Sequence, residues 1–174
     1  MLLPIVAGAA ETPRKLDWPD FRSGIFQSGD LYIAGQPLTE TAMQRLKSEG
    51  VTTIVNLRTP KEMASKKSTP IAEADLVEAL SITYHHLPSG GEDYPYSSET
   101  VNTFADILNK TPGKVLLHCN SGRRAVHLWV AHLVANEGID IDEAVRLGRA
   151  ANFGTVPLEG YLSKPLTYRQ VTSK

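Results

Sequence analysis

The one cysteine of the chain lies in a segment whose residue types could support nucleophilic chemistry on a bound anion. An apolar run over residues 114–118 predicts a buried strand, and the pattern from about residue 124 to residue 136 predicts a helix. The small, turn-forming residues between them favour a tight loop. The amides of such a loop converge and the helix N-terminus adds partial positive charge, so an anion is expected there. The segment reads His118-Cys119-Asn120-Ser121-Gly122-Arg123-Arg124.

A cysteine at the start of such a helix can act as a nucleophile. Helix N-termini and cationic neighbours lower the pKa of cysteine thiols from about 8.5 to as little as about 3.5, and the thiolate is the reactive form. The planar guanidinium groups of Arg123 and Arg124 can bind phosphate oxygens in pairs. We therefore expect Cys119 and Arg124 to take part in catalysis. The alternative is a small buried residue, the usual role of a lone cysteine.

The rest of the chain alternates predicted strands with predicted helices. A hairpin is expected over residues 25–34, and further strands over residues 51–57 and 82–87. Helices are expected from the Thr39 cap to Gly50, near residues 70–80 and 98–108, and last over residues 140–151. This order predicts a single α/β domain with a central, mostly parallel sheet flanked by helices. Ligands of such sheets bind at the carboxyl ends of strands, where Cys119 is expected.

Composition limits the classes of partner and of site. The 174 residues suit one domain, and the net charge of −1 gives no reason to expect nucleic acid or a membrane surface as a partner. No stretch is long enough to span a membrane. A single cysteine excludes an intrachain disulfide and a thiolate-rich zinc site. The interpretation is a globular domain whose anion site is local.

The N-terminal residues differ from the rest of the chain. Residues 1–10 are apolar and end in small residues, which resembles the tail of a secretory signal and favours a periplasmic or secreted protein over a cytoplasmic one. Scattered prolines up to about residue 22 predict an irregular extension. We therefore place an N-terminal extension at residues 1–20 and the domain at residues 21–174.

Other polar residues are candidates for the rim of the site. Asn56 and Arg58 end a neighbouring strand, so Arg58 could face the pocket, although pairing with Glu62 one helical turn away is the alternative. His118 lies on a buried strand, where its ring can hold backbone groups of the loop. The residues expected to bind the substrate are His118, Asn120, Ser121, Gly122, Arg123 and Arg58.

The histidines give no metal-binding pattern. His85 and His86 point to opposite sides of a strand, and His127 and His132 are five residues apart on a helix, off a shared face. No HExxH motif or acidic cluster accompanies them. We expect neither a metal nor another cofactor.

The cysteine segment resembles the signature of the cysteine-dependent protein tyrosine and dual-specificity phosphatase superfamily. The chain is most similar to the bacterial phosphatase-like family related to beta-lactamase hydrolase-like proteins. The matching segments are Ile33-Ala34-Gly35-Gln36-Pro37, Ile54-Val55-Asn56-Leu57-Arg58-Thr59-Pro60-Lys61-Glu62, and the cysteine loop running into Leu128-Trp129. The resemblance covers most of residues 21–152. It implies the phosphatase fold and hydrolysis of phosphomonoesters through a phosphocysteine, without a metal.

The same resemblance implies a general acid upstream of the cysteine. In the superfamily this acid is an aspartate on a mobile loop, and Asp93 fits by position, with Glu92 as the substitute. The alternative for Asp93 is a solvated loop residue. The tripeptide at residues 18–20, Trp-Pro-Asp, spells the name of the acid loop of tyrosine phosphatases. It precedes the first predicted strand, so we interpret it as a coincidence.

One position departs from the superfamily pattern and leaves two further functions open. The pattern places arginine six residues after the cysteine, where this chain has Ala125, and Arg124 stands one residue early. The shorter spacing also occurs in rhodanese-like sulfurtransferases, in which Cys119 would carry a persulfide. A phosphate-binding module without catalysis is the third hypothesis. The substrate itself, a phosphoprotein or a phosphorylated small molecule, is not specified by the sequence.

Overall fold

The computed structural model describes residues 10–154 and 158–168. Of the signal-like residues 1–10, the first nine therefore lie outside the described part. The described residues form a sheet of six strands in the order β1-β2-β3-β6-β4-β5. The strands are β1 Arg14–Leu16, β2 Ile25–Ser28, β3 Leu31–Ala34, β4 Val51–Asn56, β5 Thr83–His86 and β6 Lys114–His118. The helices are α1 Glu40–Ser48, α2 Pro60–Met63, α3 Glu73–Ala79, α4 Ser98–Lys110, α5 Arg123–Ala135, α6 Ile141–Arg149 and α7 Leu158–Leu162.

The sheet is parallel where the cysteine loop leaves it. Strand β6 lies between β3 and β4 and is parallel to both, whereas β1, β2 and β3 form an antiparallel meander. In the register of these strands, His118 is opposite Ala34 on one side and Asn56 on the other. The carboxyl ends of the three strands therefore meet at one edge, and the chain continues from each of them into the candidate site.

Both faces of the sheet are buried against helices, which is why its central strands are apolar throughout. Leu117 belongs to a core cluster that includes Phe104 of α4, Leu128 of α5 and Val145 of α6. The neighbouring Leu116 belongs to the other cluster, with side chains from α1 and α3. The α/β fold expected from the sequence is confirmed. Among the described residues, no helix has the length and apolar character needed to cross a membrane.

The observed elements differ from the expected ones mainly where helices are short. The hairpin of β2 and β3 is present, and Thr39 caps α1 by accepting a hydrogen bond from the amide of Ala42. The sequence interpretation missed α2 and α7, and the helix expected near residues 70–80 covers only Glu73–Ala79. Helices of four and five residues are too short for a 3.6-residue apolar period, so the pattern carries no signal for them.

The prediction that residues 1–20 form an N-terminal extension is wrong for residues 14–20. Arg14–Leu16 form the edge strand β1, which pairs with β2. Trp18 is 8% exposed in the core, with its ring stacked 5.7 Å from that of Tyr32 and the guanidinium of Arg45 4.0 Å above it. A three-residue strand has no detectable alternation, and the nearby prolines obscured it. Since Trp18 is a core residue, the Trp-Pro-Asp tripeptide is structural.

The role of residues 14–20 in the core predicts a large loss of stability on truncation of Trp18. Trp18→Ala should lower the free energy of unfolding by about 3–5 kcal/mol, the usual cost of removing a buried aromatic side chain. Urea denaturation followed by circular dichroism would measure it. The exposed Lys15→Ala in β1 is the control and should change the free energy by less than about 0.5 kcal/mol. Equal stability of both variants would mean that this segment does not belong to the domain.

Candidate active site

The segment after β6 forms the tight loop that its residue types predict. Cys119 follows the last residue of β6 and is 1% exposed. Gly122 is the N-cap of α5 and adopts a φ of 86°, a left-handed conformation that glycine reaches without strain. The amide of Gly122 donates a hydrogen bond to Cys119 Sγ at 3.2 Å. The sulfur therefore lies inside the turn, beside the N-terminus of a thirteen-residue helix.

The scaffold holds the carbonyl groups of the loop on its outer side. The carbonyl of Asn120 accepts a hydrogen bond from the amide of Gln36 at 3.0 Å, and that of Ser121 accepts one from Asn152 Nδ2 at 2.6 Å. In a trans peptide the C=O and the following N–H point in opposite directions. The amides of Ser121 and Gly122 are therefore directed to the inside of the loop, and Gly122 already contacts the sulfur there.

Close packing of the loop on the end of β3 requires a residue without a side chain at position 35. A Cβ atom at Gly35 would lie 1.8 Å from the carbonyl oxygen of Arg22 and 3.0 Å from that of Asn120. A Cβ atom at Gly122 would lie 3.3 Å from the carbonyl carbon of Ala34. The Ala34-Gly35-Gln36 segment thus lies directly against the cysteine loop. The resemblance includes this segment but does not indicate its contact with the loop.

Arg124 is held in place by four acceptor oxygens of three residues, which leave one edge of its guanidinium unused. Nη1 donates to the carbonyl oxygens of Leu57 and Ser89 at 3.2 and 2.6 Å, and to Glu62 Oε2 at 3.0 Å. Nη2 donates to Glu62 Oε1 at 2.6 Å. Within the described residues, neither Nε nor the second hydrogen of Nη2 has an acceptor in the protein. That edge can bind two oxygens of an anion side by side.

The ion pair between Arg124 and Glu62 fixes the charge state of both groups. Burial raises the pKa of Glu62, but the hydrogen bonds and charge of Arg124 and the Thr59 amide outweigh it, so the pKa of Glu62 lies below its usual value. Burial lowers the pKa of Arg124, but the hydrogen bond and charge of Glu62, together with other nearby acidic groups, outweigh burial, so the pKa of Arg124 lies above its usual value. Because Glu62 neutralises Arg124 only on one side, the open edge remains a hydrogen-bond donor for an anion.

A short helix places Glu62 at the site, and sequence reasoning missed this residue. Thr59 caps α2 by accepting from the amide of Glu62, whose Oε2 in turn accepts from the Thr59 amide at 2.8 Å. This reciprocal arrangement is a capping box, and its Thr-x-x-Glu pattern with proline after the threonine is readable in the sequence. The same carboxylate thus starts α2 and holds Arg124, and the first of these roles was predictable.

Arg58 does not reach the substrate, so the prediction that it binds substrate is wrong. Its side chain is fully buried, and burial lowers its pKa. The guanidinium donates to Gln36 Oε1 at 2.6 Å and to the main-chain oxygen of Glu62 at 2.9 Å. It also donates to the hydroxyl groups of Thr69 and Ser68. A position at the end of a strand indicated the correct edge of the sheet but not the direction of the side chain.

The side chain of His118 is likewise turned away from the pocket. It is fully buried, and its Nε2 lies 2.8 Å from Glu73 Oε1. Its Nδ1 lies 3.4 Å from the carbonyl oxygen of Cys119. The prediction that His118 binds substrate is wrong for its side chain, whereas its interpretation as a residue that holds the loop agrees with these contacts. Glu73 was not recognised from the sequence, because α3 gives no signal that one of its acidic residues is buried.

The loop that carries Asp93 begins against Arg124. Ser89 supplies an acceptor for Arg124, and a Cβ atom at Gly90 would lie 3.3 Å from Arg124 Nη1. Gly90 and Gly91 have φ values of 129° and 81°, which only glycine adopts freely. Asp93 and Glu92 are exposed on this loop. The structure therefore brings the segment of the candidate acid to the mouth of the site.

Tyr96 and Arg123 are two further side chains near Arg124. The hydroxyl of Tyr96 faces Gly90, and its ring packs 4.9 Å from that of Tyr161. Burial raises the pKa of Tyr96, so the phenol stays neutral at the mouth. Arg123 is exposed, lies against Gly154 and has no ion-pair partner among the described residues. Arg123 is thus an exposed cation without an ion pair within residues 10–154 and 158–168, whereas Arg124 is fixed by its contacts with Glu62.

The described residues contain no cluster of three or more histidine, cysteine, aspartate or glutamate side chains suited to a metal ion. The polar groups near the cysteine sulfur are instead amide N–H groups of the loop and the guanidinium of Arg124, which interacts electrostatically with Cys119. All of these are donors. The chemistry of the site therefore suits an oxyanion.

Solved structures with the same architecture identify the fold. A kinase associated phosphatase, solved with its catalytic-site cysteine replaced by serine, is 22% identical with a TM-score of 0.63, and the match covers 78% of this chain and 84% of that one. A candidate phosphatase of Shewanella putrefaciens CN-32 is 22% identical with a TM-score of 0.60, covering 82% and 90% of the two chains. The fold is that of the cysteine phosphatases.

The family follows from the sequence comparison. The family model described as the phosphatase-like domain of the beta-lactamase hydrolase-like protein matches residues 22–135, and the chain belongs to this family. A candidate phosphatase of Neisseria meningitidis Z2491 is 28% identical with a TM-score of 0.57, covering 76% of this chain and 89% of that one. The resemblance noted in the sequence is thereby confirmed, and phosphatase activity is supported.

The curated relatives are much longer than this chain. A beta-lactamase hydrolase-like protein of Xylella fastidiosa is 29% identical over 123 residues, which make up 71% of this chain. The match covers 28% of the length of that relative. It is therefore a comparison with one part of the larger protein.

Proposed function

We propose that this chain hydrolyses phosphomonoesters through a phosphocysteine intermediate on Cys119. The observation that carries the proposal is the hydrogen bond from the Gly122 amide to Cys119 Sγ at 3.2 Å, inside a loop whose carbonyls are held outward. Inward amides and a helix N-terminus stabilise a thiolate and bind the equatorial oxygens of a phosphoryl group. Catalysis is then mainly positioning and electrostatic stabilisation.

In the first step, Cys119 Sγ attacks phosphorus and the bond between phosphorus and the ester oxygen breaks. Asp93 donates its proton to the leaving oxygen, so that an alcohol or phenol departs. In the second step a water molecule attacks the phosphocysteine, Asp93 accepts a proton from that water, and the S–P bond breaks. The products are inorganic phosphate and the restored thiolate. Throughout, the open edge of Arg124 binds two of the phosphoryl oxygens.

The geometry around Arg124 supports this proposal, although Ala125 occupies the position at which the superfamily pattern has its arginine. Ala125 is fully buried in the core cluster, so a side chain at that position in this helix faces the core. Arg124 lies instead beside the loop, where Glu62 and the carbonyls of Leu57 and Ser89 orient it. The contact between Arg124 and the loop of Asp93 further supports phosphoryl transfer, since sulfur transfer needs no general acid.

The nucleophile is tested by replacing Cys119 and by a panel of substrates. The wild-type protein should hydrolyse an aryl phosphate, and Cys119→Ser should abolish turnover but retain tungstate binding by calorimetry, because amides and arginine supply the affinity. Iodoacetate should alkylate Cys119 rapidly below pH 7, and phosphate should block the reaction. Thiocyanate formation from thiosulfate and cyanide without ester hydrolysis would instead identify a sulfurtransferase. Tungstate binding without either activity would identify a binding module.

The general acid is tested by changing the leaving group. Asp93→Asn should slow the hydrolysis of alkyl phosphates by about 10²-fold or more and that of aryl phosphates with good leaving groups far less, because only a poor leaving group needs protonation. Steady-state kinetics on a series of esters would measure the difference. Asp20→Asn removes the same charge from the Trp-Pro-Asp tripeptide and should leave both rates unchanged. Equal losses for both ester types would contradict an acid role for Asp93.

The two arginines should differ in the kinetic constant that they affect. Arg124→Ala should lower kcat by about 10²–10³-fold, the usual effect of removing a donor that acts in the transition state. Arg123→Ala should mainly raise KM, because Arg123 lies at the rim and can contact the substrate only outside the loop. Each variant is the matched control for the other. A larger loss of kcat in Arg123→Ala would refute the assignment of Arg124 to the phosphoryl group.

A further inference from the structure

A row of polar side chains lies beneath the cysteine loop, entirely inside the protein. Arg58, Gln36 and His118 are 0% exposed and Glu73 is 2% exposed. Gln36 stands between the cation and the anion, because its Oε1 accepts from Arg58 Nη1 at 2.6 Å and its Nε2 donates to Glu73 Oε2 at 2.7 Å. The other oxygen of Glu73 lies 2.8 Å from His118 Nε2. Phosphoryl transfer as described above needs none of these side chains to touch the substrate.

Glu73 thereby holds Gln36 and His118. Gln36 contacts the cysteine loop through its main-chain amide, and His118 contacts it through its ring. The amide of Gln36 donates to the carbonyl of Asn120 at 3.0 Å. The ring of His118 lies with Nδ1 3.4 Å from the carbonyl oxygen of Cys119. These are the carbonyls whose outward orientation turns the amides of Asn120 and Ser121 inward.

We propose that Glu73 is a positioning residue for the cysteine loop. By fixing the ring of His118 and the carboxamide of Gln36, its carboxylate keeps the peptides after Cys119 and Asn120 oriented with their amides toward the sulfur. The functional consequence is a more reactive Cys119, so this inference rests on the proposed role of Cys119 as the nucleophile.

Position 73 requires a carboxylate, because one oxygen of the side chain pairs with Gln36 and the other pairs with His118. Gln36 cannot turn its carboxamide round, since its NH2 group would then face the guanidinium of Arg58. His118 must therefore carry a hydrogen on Nε2 to pair with the remaining oxygen of Glu73. A glutamine at position 73 offers one oxygen and one NH2 group, so it can satisfy Gln36 only by presenting its NH2 group to His118.

The charges that face Glu73 keep it ionised. Burial raises its pKa, but the charge of His118 and the hydrogen bonds from His118 and Gln36 outweigh burial and lower the pKa to about 2. Tyr84 of β5 also faces this carboxylate, and burial together with the charge of Glu73 raises the pKa of the phenol, which stays neutral. The phenol of Tyr84 accepts a hydrogen bond from Asn56 Nδ2 at 2.7 Å. Glu73 is thus a carboxylate over the whole pH range in which the thiol would react.

The test compares Glu73→Gln with Glu78→Gln, which makes the same change at an exposed position of the same helix. In Glu73→Gln the Nε2 of His118 should lose its hydrogen so that it can accept from the NH2 group of the new glutamine, which ¹⁵N NMR of the imidazole ring detects. The hydrogen bond of the ring to the Cys119 carbonyl then loses the charge that strengthens it, and the rate of alkylation of Cys119 by iodoacetate at pH 6 should fall by about threefold or more. Glu78→Gln should match the wild type in both measurements.

A folded Glu73→Gln variant that is alkylated at the rate of Glu78→Gln would overturn the proposal, with folding checked by circular dichroism. If Glu73→Gln does not fold, the wild-type NMR spectrum decides, because a His118 without a hydrogen on Nε2 contradicts the contact with Glu73 and a hydrogen there supports it. Alkylation and NMR do not require turnover. The positioning role can therefore stand even if the phosphate ester assay fails.

Discussion

The orientation of the peptide groups after Cys119 is the constraint on which the site depends. A peptide unit has its C=O and N–H on opposite sides, so amides can converge on an anion only where the carbonyls find hydrogen-bond donors outside the loop. This protein supplies donors for these carbonyls from the segment after β3, through Gln36, and from the segment after α6, through Asn152. The sheet and the helices are thus arranged around a loop that could not keep this conformation alone.

In the proposed function, Arg124 serves both the fold and a ligand. Three of its donor positions are directed at Glu62 and two main-chain carbonyls, which fixes the plane of the guanidinium. Fixing the plane in advance reduces the conformational entropy lost when an anion binds to the open edge. The cation sits one residue earlier than in the superfamily pattern, and its contacts with Glu62 and with the carbonyls of Leu57 and Ser89 fix its position.

The buried polar residues behind the loop give it a defined geometry at a cost in stability. An isolated carboxylate in the interior is strongly unfavourable, and its hydrogen bonds to neighbours only offset that cost. Apolar residues of similar size could fill the same volume, but they could not orient His118 or Gln36. Glu73 and Arg58 have no direct ion pair with each other, and the carboxamide of Gln36 joins them. Such a network tolerates few substitutions, because each member has a fixed donor or acceptor role.

The sequence alone determined the α/β class, the strand, loop and helix around Cys119, and the edge of the sheet at which the site lies, because these follow from local apolar patterns and turn residues. Tertiary structure decided which distant residues complete the site. Glu62, Glu73 and Asn152 contact residues 62, 45 and 31 positions away, and no local pattern encodes such contacts. It also decided that Arg58 points inward, since burial depends on the elements packed above a strand end. Local chemistry thus specified the reactive loop, and long-range packing specified the groups that hold it.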